Sequence, residues 1–398
     1  MLAGLLFATH EAEDRGGTLA ATLPFAGLTL VEYQARLLIA AGATQIVLVV
    51  GRVTPELLGA AARIARRGVA VDQVRNAAEL AARLHPLARV LMLADSLVTG
   101  ERVVGGMAAT KPDTLAVIPD DAGAPAPERI DSDTLWAGVA HLNPARIADL
   151  AAMPGDYDIQ SSLLRIAVQR HAAQVTIPAE ELRAGHGVER RAAALEGRGR
   201  GVMAAMLADA PSWFDRWVVA PLARPAMGEV LARHWPTMAV AGAAGGVGLL
   251  GLSALAMGQG LTGLALACVG AIVASAGAPL ARLRDEAGLA RAFAVTVLAL
   301  PATAVLLFGR AADQPTGDWL AEAAALALVV AGGLGERAVS PRRRRVWWGT
   351  PPAYLLLVTL ASAAIGAAAG LAAGGLYATV TLGAAIEALR RAARARDL

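Results

Sequence analysis

Residues 271–297, AIVASAGAPLARLRDEAGLARAFAVTV, decide how the second half of this chain is read. The stretch leaves an apolar run, crosses a short segment holding Arg282, Arg284, Asp285, Glu286 and Gly288, and returns to apolar sequence. A helix, a polar turn and a second helix account for that pattern. Runs this apolar on both sides predict that the turn joins two membrane spans. Working outward, the apolar runs, including the two that this turn joins, lie at 237–257, 261–280, 290–308 and 319–334. The last run, 353–386, would make a single helix of about 51 Å. That overshoots a hydrocarbon core of about 30 Å, so it is predicted to fold into two spans at Gly370–Gly375. Six spans result. The glycines and alanines of AGAAGGVG and IGAAAGLAAGG predict close helix packing without a polar core.

Composition agrees with a two-part chain of 398 residues. Its 56% hydrophobic content and mean hydropathy of +0.50 are too apolar for an ordinary soluble protein, yet charge crowds the first half. The expected layout is a soluble domain over 1–200, a linker and interfacial helix over 201–236, and a membrane domain over 237–398. The net charge of +3 gives no reason to expect a nucleic-acid partner. The lone cysteine, Cys268, excludes a disulfide framework and a cysteine metal site. Almost no charge lies inside the spans, which disfavours a coupled transporter. The first residues, MLAGLLFATHEAEDRGG, lack a basic region and a cleavage site, and read as a strand rather than a signal peptide.

Arginine sets the expected orientation. Arg282, Arg284 and Arg291 mark the second loop, Arg337 and Arg342–Arg345 the fourth, and Arg390, Arg391, Arg394 and Arg396 the tail, whereas the odd loops hold Arg310. The soluble domain, the even loops and the C-terminus are therefore expected in the cytoplasm, at the cell inner membrane. Trp235, Trp319, Trp347 and Trp348 fall at span ends. Residues 212–234 mix Trp213, Phe214 and Trp217 with Asp215, Arg216 and Arg224, as a helix lying in the headgroup layer would. Pro221 and Pro225 are expected to break it.

The first half alternates strands and helices: strands at 2–9, 45–50, 69–71 and 89–94, and helices ending at Gly42 and over 55–67 and 77–84. That order predicts a mostly parallel, Rossmann-like α/β sheet. Ligands in such sheets sit at the carboxyl ends of strands, which is where Asp95 falls. Other polar groups have two readings each. Glu128-Arg129-Ile130-Asp131 lines the same cleft or forms an edge strand with a local ion pair. Asp156 and Asp158 share a cation or cap the helix that follows. His186 reads as a surface histidine, and 189–200 as an arginine-rich linker helix.

Within 23–50, the run AGLTLVEYQARLLIAAGATQIVLVV resembles the sugar-phosphate nucleotidyltransferases, which share their architecture with the GT-A glycosyltransferases. The likeness continues to about Leu195. It implies a nucleotide such as CTP as ligand, with Asp95 of MLADSLV matching a Mg2+-binding aspartate. Trp136-Ala137-Gly138 stands where such enzymes recognise the sugar, and 156–169 where their next helix lies. Where the family has a glycine-rich phosphate loop, this chain has THEAEDRGGTLAATLPF. Arg15, Gly16 and Gly17 are the candidate remnant of that loop. Glu11, Glu13 and Asp14 would repel a triphosphate unless a cation bridges them.

The stretch 271–297 resembles the signature of the CDP-alcohol phosphotransferases, D-x-x-D-G-x-x-A-R, then G, then D-x-x-x-D. With Ala281-Arg282 as its A-R, the aspartates fall on Ala274 and Gly277, and the later positions offer no oxygen side chain beyond Thr296. Those aspartates hold two cations in the family. Taken together, the two halves resemble fusions of an inositol-phosphate cytidylyltransferase domain with a CDP-alcohol phosphotransferase domain. The resemblance implies a role in phospholipid or polar-headgroup metabolism, and the missing aspartates predict an inactive membrane half. Arg282 and Arg284 then hold a lipid phosphate or anchor a loop, and membrane lipids and a second copy are the expected membrane partners. The alternative is a pseudoenzyme that binds nucleotide or anionic lipid and regulates an active enzyme.

Overall fold

The computed structural model describes residues 1–120, 128–153, 157–208, 212–233, 235–314, 317, 319–338 and 344–394. Asp156, Arg342, Arg343 and Arg396, named above, lie outside these. The chain divides into two units, Met1–Val202 and Met203–Leu398.

In the first unit the elements run β1 (Leu2–Ala8), β2 (Pro24–Phe25), β3 (Leu28–Thr29), α1 (Leu30–Ala40), β4 (Gln45–Val50), α2 (Pro55–Ala65), β5 (Ala70–Val74), α3 (Ala77–Arg83), β6 (Arg89–Leu93) and β7 (Leu97–Val98). There follow α4 (Glu101–Ala108), β8 (Thr114–Pro119), β9 (Glu128–Arg129), β10 (Thr134–Leu142), α5 (Pro144–Ala151), α6 (Ile159–Gln169), β11 (Ala173–Thr176), α7 (Ala179–Arg183), β12 (Gly187–Val188) and α8 (Ala192–Ala208), whose last turns belong to the second unit. One large sheet has the order β11-β8-β10-β6-β1-β4-β5, with β9 on the side of β10. Strand β1 lies inside it and is buried at all seven residues, which explains its unbroken apolar sequence. It pairs parallel with β4 and β6, and β4 pairs parallel with β5. Strand β10 runs antiparallel to both β6 and β8, so the sheet is mixed rather than all parallel. A capping box of Thr29 and Glu32 opens α1, and Thr54 with Pro55 opens α2.

Two expectations are corrected in this unit. His186 is buried rather than on the surface. The helix over 189–200 is no free linker: Leu195 is fully buried, and Arg198 donates to the carbonyls of Gly185 and His186.

The second unit is helical. A π-helical turn, Asp215–Val219, leads into α9 (Ala220–Ala232), followed by α10 (Thr237–Ala256), α11 (Gly260–Leu283), α12 (Ala287–Asp313), α13 (Leu320–Ala338), α14 (Pro351–Ile365) and α15 (Ala367–Arg394). Helix α9 is not broken as expected. The helical run continues from the π-helical turn through Pro221 and passes through Pro225 as well. Among the described residues four helices, α10, α11, α12 and α15, are long and apolar enough to cross a membrane. Helix α14 is a shorter apolar helix, and α13 carries Glu322, Glu336 and Arg337. The last run divides at Gly366 rather than at Gly370–Gly375. Gly366 adopts φ +96°, a left-handed conformation that ends α14, whereas Gly370 and Gly374 lie inside α15 and let it approach Ser362 and Val358. Close approach also governs α10 and α11. A Cβ on Gly251 would lie 2.6 Å from the Ala267 nitrogen, so a larger residue forces these helices apart.

Candidate functional site

Asp95 follows β6 at its carboxyl end, as the sequence places it. Its side chain is fully buried. Oδ2 accepts from the backbone N–H of Thr9 at 2.8 Å, the Thr9 hydroxyl at 3.0 Å, and the backbone N–H of His10 at 2.9 Å. The His10 ring nitrogen Nδ1 lies 3.1 Å from the same oxygen. Oδ1 takes the Ser96 hydroxyl at 3.0 Å, and the Asp95 N–H donates to Gln160 Oε1 at 2.8 Å. Burial works against the charge, but the His10 ring and the N–H groups of His10 and Thr9 outweigh it and hold the carboxyl below the ordinary carboxylate range. Asp95 thus ties the chain leaving β1 to the end of β6.

That chain is the loop offered as a phosphate site. Arg15, Gly16 and Gly17 are exposed in it, and the Arg15 carbonyl closes a turn with the Thr18 N–H. Its acids are already matched by the protein's own groups. Arg52 lies 3.1 Å from Glu11, and Arg191 lies 4.0 Å from Glu13. Asp14 accepts from the N–H groups of Ala192 and Ala193 at the start of α8, and these bonds lower its pKa. The cations beside these acids are Arg52 and, more distantly, Arg191, which lies closer to Glu189 at 3.2 Å. Sequence reading missed both because they are distant in the chain from the acids they meet.

The remaining polar groups resolve towards structural uses. Glu128 and Arg129 form a short strand on β10, with Arg129 2.7 Å from Asp120 and Glu128 accepting from the Ser161 hydroxyl at 2.9 Å. Asp158 caps α6 through the Ser161 N–H at 2.7 Å. Trp136 is fully buried and its indole N–H donates to Val139 O at 3.0 Å. His186 has Nδ1 2.9 Å from Thr99 Oγ1 and Nε2 2.9 Å from Ala137 O. Burial pushes its pKa down to about 4, so it stays neutral. Among the described residues no group of three or more His, Cys, Asp and Glu side chains is placed to hold a metal ion.

In the helical unit, the positions aligned with the first aspartate pair lie in tight helix contacts. Ala274 is fully buried, and a Cβ on Gly277 would collide with ring carbons of Phe293. Thr296 turns back on its own helix, its hydroxyl donating to Ala292 O at 2.9 Å. Arg284 donates to Trp235 O at 2.6 Å and to the Thr237 hydroxyl at 3.1 Å, so it anchors the start of α10. Arg282, on the last turn of α11, is exposed. A further strap was not foreseen: the Trp213 indole donates to the Tyr377 hydroxyl at 2.7 Å, which donates to Trp347 O at 2.6 Å.

No family profile matches this chain, and no curated protein matches it. Among solved structures it is similar to the inositol-1-phosphate CTP transferase from T. maritima, at 15% identity and a TM-score of 0.37, over 50% of this chain and 96% of that one.

Proposed function

We propose that this chain is a multi-pass membrane protein of the cell inner membrane. In this reading it is a non-catalytic relative of the nucleotidyltransferase and CDP-alcohol phosphotransferase fusions that scaffolds or regulates an active enzyme of polar-headgroup metabolism. Its soluble unit, C-terminus and even loops face the cytoplasm, following the arginine bias, and α13 and α14 complete six spans. One observation carries the reading: the Phe293 ring fills the space that a side chain at Gly277 would need. A dimetal site requires carboxylates on facing helices at that point. Here the same faces are used for packing.

The soluble unit supports the same conclusion. A Mg2+ ion at Asp95 does not fit the residues present, because the carboxylate has no solvent-exposed face and Oδ2 already takes four contacts. The acids beside Arg15, Gly16 and Gly17 are satisfied without a bound triphosphate and its cation. The test is pyrophosphate release by the full-length protein with CTP, Mg2+ and inositol phosphate. The expected result is no release above that of the Asp95→Asn variant. Release by the wild type that Asp95→Asn abolishes would restore a nucleotidyltransferase.

A further inference from the structure

We propose that a groove between α12, α13 and α14 holds one acyl chain of an anionic phospholipid, whose phosphate rests on Arg337. The site rests on the membrane placement proposed above and not on the absence of catalysis. The groove has a volume of about 240 Å³. Leu298 and Val305 form one wall, Leu328 and Gly333 another, and Tyr354 closes the side towards α14. Apart from Glu336 and Arg337 at its end, the lining is apolar or aromatic.

Depth and charge specify the occupant. From Leu328 to Arg337, α13 rises about 14 Å at 1.5 Å per residue. That is about half of a hydrocarbon core of roughly 30 Å, the depth of one leaflet and so of one lipid chain. At the polar end Glu336 is neutralised by Arg344, with contacts of 2.9 and 2.6 Å to its two oxygens. Arg337 is exposed and forms no ion pair among the described residues. The groove therefore presents an uncompensated cation above an apolar trough, matching a phosphate above a hydrocarbon chain. Its flank is open to the bilayer, since Leu326, Val330 and Leu334 on α13 are all about half exposed.

Gly333 makes the site testable without damage to the fold. A Cβ there meets no atom within 4 Å, and leucine is a better helix former than glycine. Gly333→Leu thus fills the groove, while Arg337→Gln removes the headgroup anchor. Full-length protein would be stripped of lipid in detergent, offered phosphatidylglycerol and phosphatidylcholine in equal amounts, and weighed by native mass spectrometry. The wild type should retain one phosphatidylglycerol in preference to phosphatidylcholine. Arg337→Gln should lower that preference about fivefold, and Gly333→Leu should abolish retention of either lipid. Equal retention of the two lipids by the wild type, or unchanged retention by both variants, overturns the site. A lipid-free dimer that Gly333→Leu converts to monomer assigns the groove to a second copy and also overturns it. Carbonate extraction separates the two readings. A chain released by carbonate refutes the membrane placement and this site together, whereas a retained chain without selective lipid refutes the site alone.

Discussion

Replacing Asp95 with alanine separates a structural brace from a metal ligand. The substitution removes the acceptor for the backbone N–H groups of Thr9 and His10, and for the Thr9 and Ser96 hydroxyls. Hydroxyls rotate to other partners, but the two N–H groups are fixed by the chain leaving β1. Each donor left unsatisfied costs about 1–3 kcal/mol, so the loss is about 4 kcal/mol. For a unit of this size each kcal/mol moves the melting point by about 2–4 °C, which predicts a fall on the order of 10 °C. Asp95→Asn keeps one carbonyl oxygen and should lose about half as much. The assay is thermal unfolding of the full-length protein, with hydrogen exchange of residues 2–10 to localise the effect. The sign with pH follows from the lowered carboxyl: the brace is complete above the ordinary value of 3.8 and is lost as pH falls through the lower folded value. A variant that melts like the wild type, with unchanged exchange in residues 2–10, would refute the brace.

Three other outcomes follow from particular contacts. His186 has its folded pKa depressed from 6.5 to about 4, so the stability it contributes is present above 6.5 and lost as pH falls towards 4, by about 3 kcal/mol. Unfolding of the first unit measured across that window should show the decline, and His186→Gln should flatten it. Gly277→Ala should destabilise the helical unit by about 1–3 kcal/mol through overpacking against Phe293, and Phe293→Ala should offset part of that loss; melting in detergent of the single and double variants measures the coupling. A cysteine at Gln314, in a Cys268→Ser background, should react with an impermeant maleimide in intact cells, and labelling only after permeabilisation would reverse the orientation.

The alternation of strands and helices was legible because residues of one period pack against residues of another: the expected segments at 45–50, 77–84 and 89–94 lie within a residue of β4, α3 and β6. The direction of β10 was not, since TLWAGVAHL carries the same apolar pattern whichever way its neighbours run. Burial of His186 was hidden by local sequence, because its partners Thr99 and Ala137 are remote in the chain. The same remoteness concealed Arg52 and Arg191 behind the acids of the loop. Glycine misled for a different reason: it serves both helix ends and close helix contacts, so Gly366 and Gly370 look alike until the packing is known. The positions of Ala274 and Gly277 were readable, but the ring that occupies the space beside Gly277 was not, since nothing in the spacing aims Phe293 at α11.

Headgroup transfer tests most directly whether that occupied space excludes a dimetal site. Purified full-length protein in liposomes would be given radiolabelled CDP-alcohols with Mg2+ or Mn2+, and the labelled lipid product counted. No transfer above protein-free liposomes is the predicted result, for the wild type and for Asp285→Asn alike. Transfer by the wild type that chelator abolishes would place a working metal site in the helical unit and contradict the account.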